Sequence, residues 1–183
     1  MSLPPGDRPR GGLVPPEPGG EPADPDVAAV TALLGRRPAG AFTVVVRDPG
    51  GRPAVIRNEP LLADGTPMPT RYWLVSPALC EAVSRLESAG GVRQAEAAVD
   101  PAALAAAHAR YAAERDAALP AGHRGPRPAG GVGGTRRGVK CLHAHLAWWL
   151  AGGADPVGAW VAERLGLDPR CPATPGPRGG GVW

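Results

Sequence analysis

The chain has 183 residues and a mass of 18.6 kDa, enough for one domain and too little for two full ones. Gly 27 and Pro 24 together make about 28% of it, a level at which unpatterned enrichment marks stretches without a packed core. The glycines have no period of three, which excludes collagen, and no run approaches the ~18 consecutive apolar residues of a helical membrane span.

The net charge of +3 hides an asymmetry. Residues 117–154 contain Arg124, Arg127, Arg136, Arg137 and Lys140 but no Asp or Glu, so the remainder carries −2. Such a segment attracts anions locally. Lys140 is the sole lysine among 20 cations. It offers a compact ammonium whose pKa responds to burial, where arginine stays charged. The first 25 residues lack an apolar secretory region, and three cysteines (Cys80, Cys141, Cys171) make no disulfide framework, so a cytoplasmic protein with reduced thiols is expected.

Residues 1–24 and 168–183 are Pro/Gly-rich, have few large apolar groups and are expected to be disordered tails around a single domain at 25–167. Within it, Asp26 caps a short helix to Leu34, with Val27, Val30, Leu33 and Leu34 as its apolar stripe. The β-branched run 41–47, the turn Asp48-Pro-Gly-Gly51 and residues 53–57 read as a hairpin, and 70–75 as a third strand. Ser76-Pro77 opens a helix to about Ser88 that buries Leu79, Val83 and Leu86, and Asp100-Pro101 opens a longer one to about Leu119. After a basic Gly/Pro-rich segment at 120–138, helices are expected from about Val139 to Leu150 and from Asp155-Pro156 to near Gly166. The fold class is α+β: about three antiparallel strands, followed by four or so helices that cover one face.

The run from Gly130 to His145 carries the chemistry. Its glycines can aim amides at one point beside a helix N-terminus, with Thr135, Arg136, Arg137 and Lys140 as side-chain donors. This suits a phosphate or carboxylate, although the Gly-Lys-Ser/Thr of a Walker loop is absent; the bland alternative is a solvated connector. On a helix, Lys140 and His143 share one face and Cys141 and His145 another. Cys141 and His145 would be half of a zinc site, too few for a structural one, so neither metal nor cofactor is expected. His108 and Arg115 lie on the inward stripe of the long helix with Leu104 and Tyr111. They either satisfy buried hydrogen bonds or converge with Lys140 and His143 on an anion pocket, with Glu87 as a salt-bridge partner. Trp148, Trp149 and Trp160 read first as core volume, and second as a partner surface.

The runs Ala29-Val-Thr-Ala-Leu-Leu-Gly-Arg36, Asp64-Gly-Thr-Pro-Met-Pro-Thr-Arg-Tyr-Trp-Leu74, Ser84-Arg-Leu-Glu87, Val139-Lys-Cys-Leu-His143 and Pro156-Val-Gly158 resemble domain-of-unknown-function family 501 over residues 26 to 166. The resemblance implies a small cytoplasmic protein of high-GC Gram-positive bacteria, often encoded near a septum-formation initiator and an exopolyphosphatase-type phosphatase. It implies no catalytic residue. Many relatives carry Cys at the positions of Asp48 and Ser76, which with Cys141 would offer a metal three thiols; this chain keeps only Cys141, which argues against that site unless Asp48 supplies an oxygen.

The expected function is binding of a phosphate-bearing or other anionic small molecule at Thr135, Arg136, Arg137, Lys140 and His143, with His108 and Arg115 nearby. The alternative is a non-enzymatic scaffold in cell division or envelope work with a protein partner. RNA binding through 120–140 is weaker, because that segment has no aromatic residue to stack on bases.

Overall fold

Pro25 fixes φ at the first turn of the opening helix, α1 (Pro25–Leu34), and its cap lies two residues upstream of the expected Asp26. Asp24 accepts the Asp26 amide at 2.9 Å. The Asp26 carboxylate is thereby free to hold both contacts of Arg47 Nη2, at 2.7 and 2.8 Å. The computed structural model describes residues 24–168 and the backbone of 171–175. The readings of 1–23, 169–170 and 176–183 as tails lie outside the described residues.

Strands β1 (Phe42–Arg47), β2 (Pro53–Asn58) and β3 (Tyr72–Leu74) form the expected antiparallel sheet in the order β1-β2-β3. The register pairs Val44 with Ile56 and Val55 with Leu74, and an irregularity near Val45 bends β1. Pro53 is tolerated in the central strand because it is the first residue there. Alternation along β2 sends Val55 to one face and Ile56 to the other, and both are fully buried. The sheet is therefore covered on both faces, not one. Ile56, Val75 and Val30 of α1 form a small core on one side, while Val55, Tyr72 and Leu74 join the main core on the other.

The main core is built from α2 (Pro77–Ser88), α3 (Gly91–Ala98), α4 (Pro101–Ala117), α5 (Leu142–Leu150) and α6 (Pro156–Arg164). Ser76, Asp100 and Asp155 cap α2, α4 and α6 from their side chains, each ahead of a proline. The sequence reading assigns no element between Ser88 and Asp100, and α3 occupies that stretch. Gly90 turns the chain at φ 84, and a Cβ on Gly91 would lie 2.6 Å from the Leu86 carbonyl, so these glycines pack α3 against α2 rather than loosen the chain. The centre of the domain is α5, buried around nearly its whole circumference against α2, α6 and β3. Trp148 and Trp160 are core residues and Trp149 is half-buried. Glu114 of α4 accepts from Tyr72 Oη and, at 3.1 Å, from Trp148 Nε1, tying α4 to the sheet and to α5.

At the C-terminal end, β4 (Leu167–Asp168) pairs antiparallel with β5 (Cys171–Pro175), so part of the Pro-rich stretch read as a tail forms a short ribbon. No described helix is long and apolar enough to cross a membrane.

Candidate functional site

The basic segment between α4 and α5 is a shaped loop held from beneath by two buried residues of α4. Arg115, 2% exposed, donates from Nη1 to the carbonyls of Gly130 (2.6 Å) and Ala129 (3.3 Å) and from Nε to Asp116 (2.9 Å). About two turns earlier, His108 accepts the Val132 amide on Nδ1 at 3.1 Å, so its proton sits on Nε2 and is donated to Gly138 O at 3.0 Å. One imidazole thus ties the start of the turn Val132–Gly134 to the approach to α5. Burial pushes the His108 pKa down, partly offset by the Gly138 bond, which fits a ring that must stay neutral to accept an amide. Gly131 lies so close that a Cβ there would be 2.5 Å from the His108 Cβ.

These contacts decide the roles of the sequence-nominated residues. His108 and Arg115 direct their polar atoms at the loop's own backbone, which is the hydrogen-bonding alternative rather than a shared anion pocket. Thr135 Oγ1 donates to Arg137 O at 2.7 Å. Several loop amides are also engaged: Gly131 with Thr135 O (2.7 Å), Gly134 with Gly131 O (3.0 Å) and Val139 with Glu96 Oε1 (3.2 Å). The side chains of Arg136, Arg137 and Lys140 are exposed and make no hydrogen bond or ion pair with any described residue.

The expected helix start at Val139 is also displaced. Gly138 adopts φ 62, the Val139 amide goes to Glu96, and Cys141 is extended at φ −153 and ψ 117, so α5 begins at Leu142. The helical pairing of Cys141 with His145 therefore does not form. His145 is fully buried and bonds Asp155 at 2.7 Å, while Asp155 caps Val157 and Gly158. Cys141 instead meets His143, two residues on, at 3.8 Å from Sγ to Nδ1.

Glu87 completes this cluster from α2. Its Oε1 accepts the Leu142 amide at 2.7 Å, satisfying the open N-terminus of α5, and lies 3.3 Å from His143 Nδ1. The other ring nitrogen of His143 stands 3.2 Å from Cys80 O and 3.3 Å from Ser84 Oγ. The hydrogen bond to Cys141, opposed by burial and assisted by Glu87, pushes His143 up to about 9. Burial works against ionisation of Cys141, but the His143 and Ala144 hydrogen bonds outweigh it and bring that thiol below its ordinary value. Cys80 moves the other way, through burial and then the neighbouring Cys141 charge. Both shifts favour a Cys141 thiolate beside a protonated His143, and the thiolate is the form in which a cysteine is a nucleophile or a ligand. A depression of about 490 Å³, lined by Glu87, Ser88, Gly90 and Arg93 among others, reaches the cluster on its Glu87 side.

Sequence reasoning placed Glu87 beside His108 and Arg115 and did not unite it with Cys141. The signal lay in two of the quoted runs, Ser84-Arg-Leu-Glu87 and Val139-Lys-Cys-Leu-His143, whose last residues meet in space. Asp48 and Ser76 take no part: Asp48 holds the Arg52 amide in the hairpin turn at 2.9 Å, and Ser76 caps α2.

Residues 44–163 match the family profile described as "Protein of unknown function (DUF501)", and the chain belongs to that family. No curated protein and no solved structure matches it.

Proposed function

We propose that this DUF501 protein binds a phosphate-bearing or comparably anionic small molecule through Arg136, Arg137 and Lys140, beside the Cys141–His143–Glu87 cluster. The observation that carries the reading is the combination of three exposed cations without described partners and a loop backbone fixed by buried Arg115 and His108. Charges mounted on a fixed backbone lose less conformational entropy on binding than charges on a free linker. In this reading His108 and Arg115 are positioning residues, and Thr135 shapes the loop through its bond to Arg137 O. His143, the second residue of α5 and three residues after Lys140, is the group able to exchange a proton with a bound ligand.

Lysine supplies a point charge to a phosphate, and two arginines supply planar donor forks. The free thiols Cys80 and Cys141 accord with a reducing, cytoplasmic setting. The test is thermal stabilisation of the full chain by inorganic phosphate, polyphosphate, nucleotides and sugar phosphates. A ligand at 100 times its Kd stabilises by about 2.7 kcal/mol. Stabilisation by at least one of these that disappears in Lys140→Ala supports the reading, and stabilisation unchanged in that variant contradicts it.

A further inference from the structure

The geometry points to Glu87, Cys141 and His143 as a binding site for a zinc-class divalent cation. The site stands on its own residues and does not depend on anion binding by the basic loop. One sulfur, one imidazole nitrogen and one carboxylate oxygen lie within 4.8 Å of one another. A tetrahedral zinc lies about 2.3 Å from sulfur and about 2.0–2.1 Å from nitrogen or oxygen, which places the S and N ligands about 3.5 Å apart and the N and O ligands about 3.3 Å apart. The observed separations are 3.8 Å for Cys141 Sγ to His143 Nδ1 and 3.3 Å for His143 Nδ1 to Glu87 Oε1. For these two pairs, closing on a cation needs shifts of only a few tenths of an ångström, and the third pair, sulfur to carboxylate oxygen, lies within 4.8 Å.

The surroundings aim each donor. The Cys80 carbonyl, 3.2 Å from His143 Nε2, takes the proton on that nitrogen, so the Nδ1 proton is the one a cation displaces, and Nδ1 then faces the ion together with Cys141 and Glu87. A backbone carbonyl on the far ring nitrogen is the usual outer partner of a metal-bound histidine. The Leu142 amide fixes Glu87 Oε1. The extended backbone of Cys141 lets residues two apart in sequence converge, which a helix would forbid. A thiolate and a carboxylate balance a divalent charge, and the sulfur and imidazole select zinc-class ions over calcium or magnesium. Three protein ligands correspond to the coordination of a reactive rather than a closed structural zinc, whose fourth ligand is water or a bound small molecule.

The experiment treats the full chain with a chelator, desalts it, and adds Zn²⁺ or Co²⁺ alone. The expected result is one tightly held ion per chain, a thiolate-to-cobalt charge-transfer band, and protection of Cys141 from alkylation by Zn²⁺ as mapped by peptide mass spectrometry. Cys141→Ser is expected to abolish the band and His143→Gln to weaken binding at least tenfold, whereas Cys80→Ser retains both. Mapping on the unmutated chain decides the question even where a variant folds poorly. No stoichiometric ion, unprotected Cys141, or a band that persists in well-folded Cys141→Ser would each overturn the assignment.

Discussion

His108 donates its Nε2 proton to the carbonyl of Gly138, 30 residues away, while Nδ1 of the same ring accepts an amide from the loop's other limb. The basic segment is thus tied to α4 by a neutral imidazole, and its conformation depends on that ring's protonation state.

A pH dependence follows with a definite sign. The folded-state pKa of His108 lies below the ordinary 6.5, with burial the main cause. The unfolded chain therefore binds more protons in the window below 6.5. The stability that this residue contributes is present above 6.5 and is lost as pH falls toward the folded-state value, with a slope of at most about 1.4 kcal/mol per pH unit. Thermal melts from pH 7.5 downward (a range set by ~1 unit either side of the ordinary histidine pKa) check this. His108→Gln is expected to show a shallower acid limb than the parent; parallel limbs would contradict the account.

Arg115 should tolerate replacement poorly. Arg115→Ala leaves the Ala129 and Gly130 carbonyls without their charged donor, and a lost hydrogen bond of that kind costs about 1.5–3 kcal/mol. Arg115→Lys is expected to recover little, because an ammonium cannot reproduce the fork that reaches both the carbonyls and Asp116. Denaturant unfolding measures both losses.

Gly131→Ala forces a methyl against the His108 side chain, at 2.5 Å from its Cβ, and is expected to destabilise by about 1–3 kcal/mol. The same substitution at Gly35, where a Cβ meets nothing within 4 Å, carries only the strain of its φ of 67. A double-mutant cycle with His108→Gly, which removes that Cβ, tests the cause: Gly131→Ala should cost less in the His108→Gly background than in the parent.

Two thiols in one neighbourhood are expected to react differently in chelator-treated protein. Cys141 is brought below its ordinary value by the His143 and Ala144 hydrogen bonds against the effect of burial, while burial raises Cys80. Iodoacetamide at neutral pH should therefore label Cys141 ahead of Cys80, and the Cys80 rate should climb only at alkaline pH. His143→Gln removes the stabilising bond, and the thiolate fraction of Cys141 falls roughly tenfold for each unit its pKa rises. Equal labelling of the two thiols would contradict the arrangement.

Much of the scaffold was legible because its signals are local. The Ser76-Pro77, Asp100-Pro101 and Asp155-Pro156 pairs mark helix starts that the structure keeps, and the β-branched run after Ala41 marks β1. What failed to show was set by tertiary contact. Helix α3 opens on Gly90-Gly91, residues that read against a helix, and at Gly91 it is Leu86 that occupies the space a Cβ would need. The start of α5 moved from Val139 to Leu142 because Glu96 and Glu87, distant in sequence, take the amides at 139 and 142. That shift also changed the partner of Cys141 from His145 to His143. The inward stripe of α4 correctly nominated His108 and Arg115 as buried polar groups, but their acceptors are backbone carbonyls, which carry no residue identity to read.

The most direct measurement is calorimetric titration of the full chain with inorganic phosphate, polyphosphate and a nucleotide, repeated on Arg136→Ala/Arg137→Ala/Lys140→Ala. The account predicts saturable binding to the parent for at least one of these anions, and its loss in the triple variant at unchanged melting temperature, because the three side chains support no described contact of the fold. Absence of binding to the parent, or binding that survives in the triple variant, would contradict it.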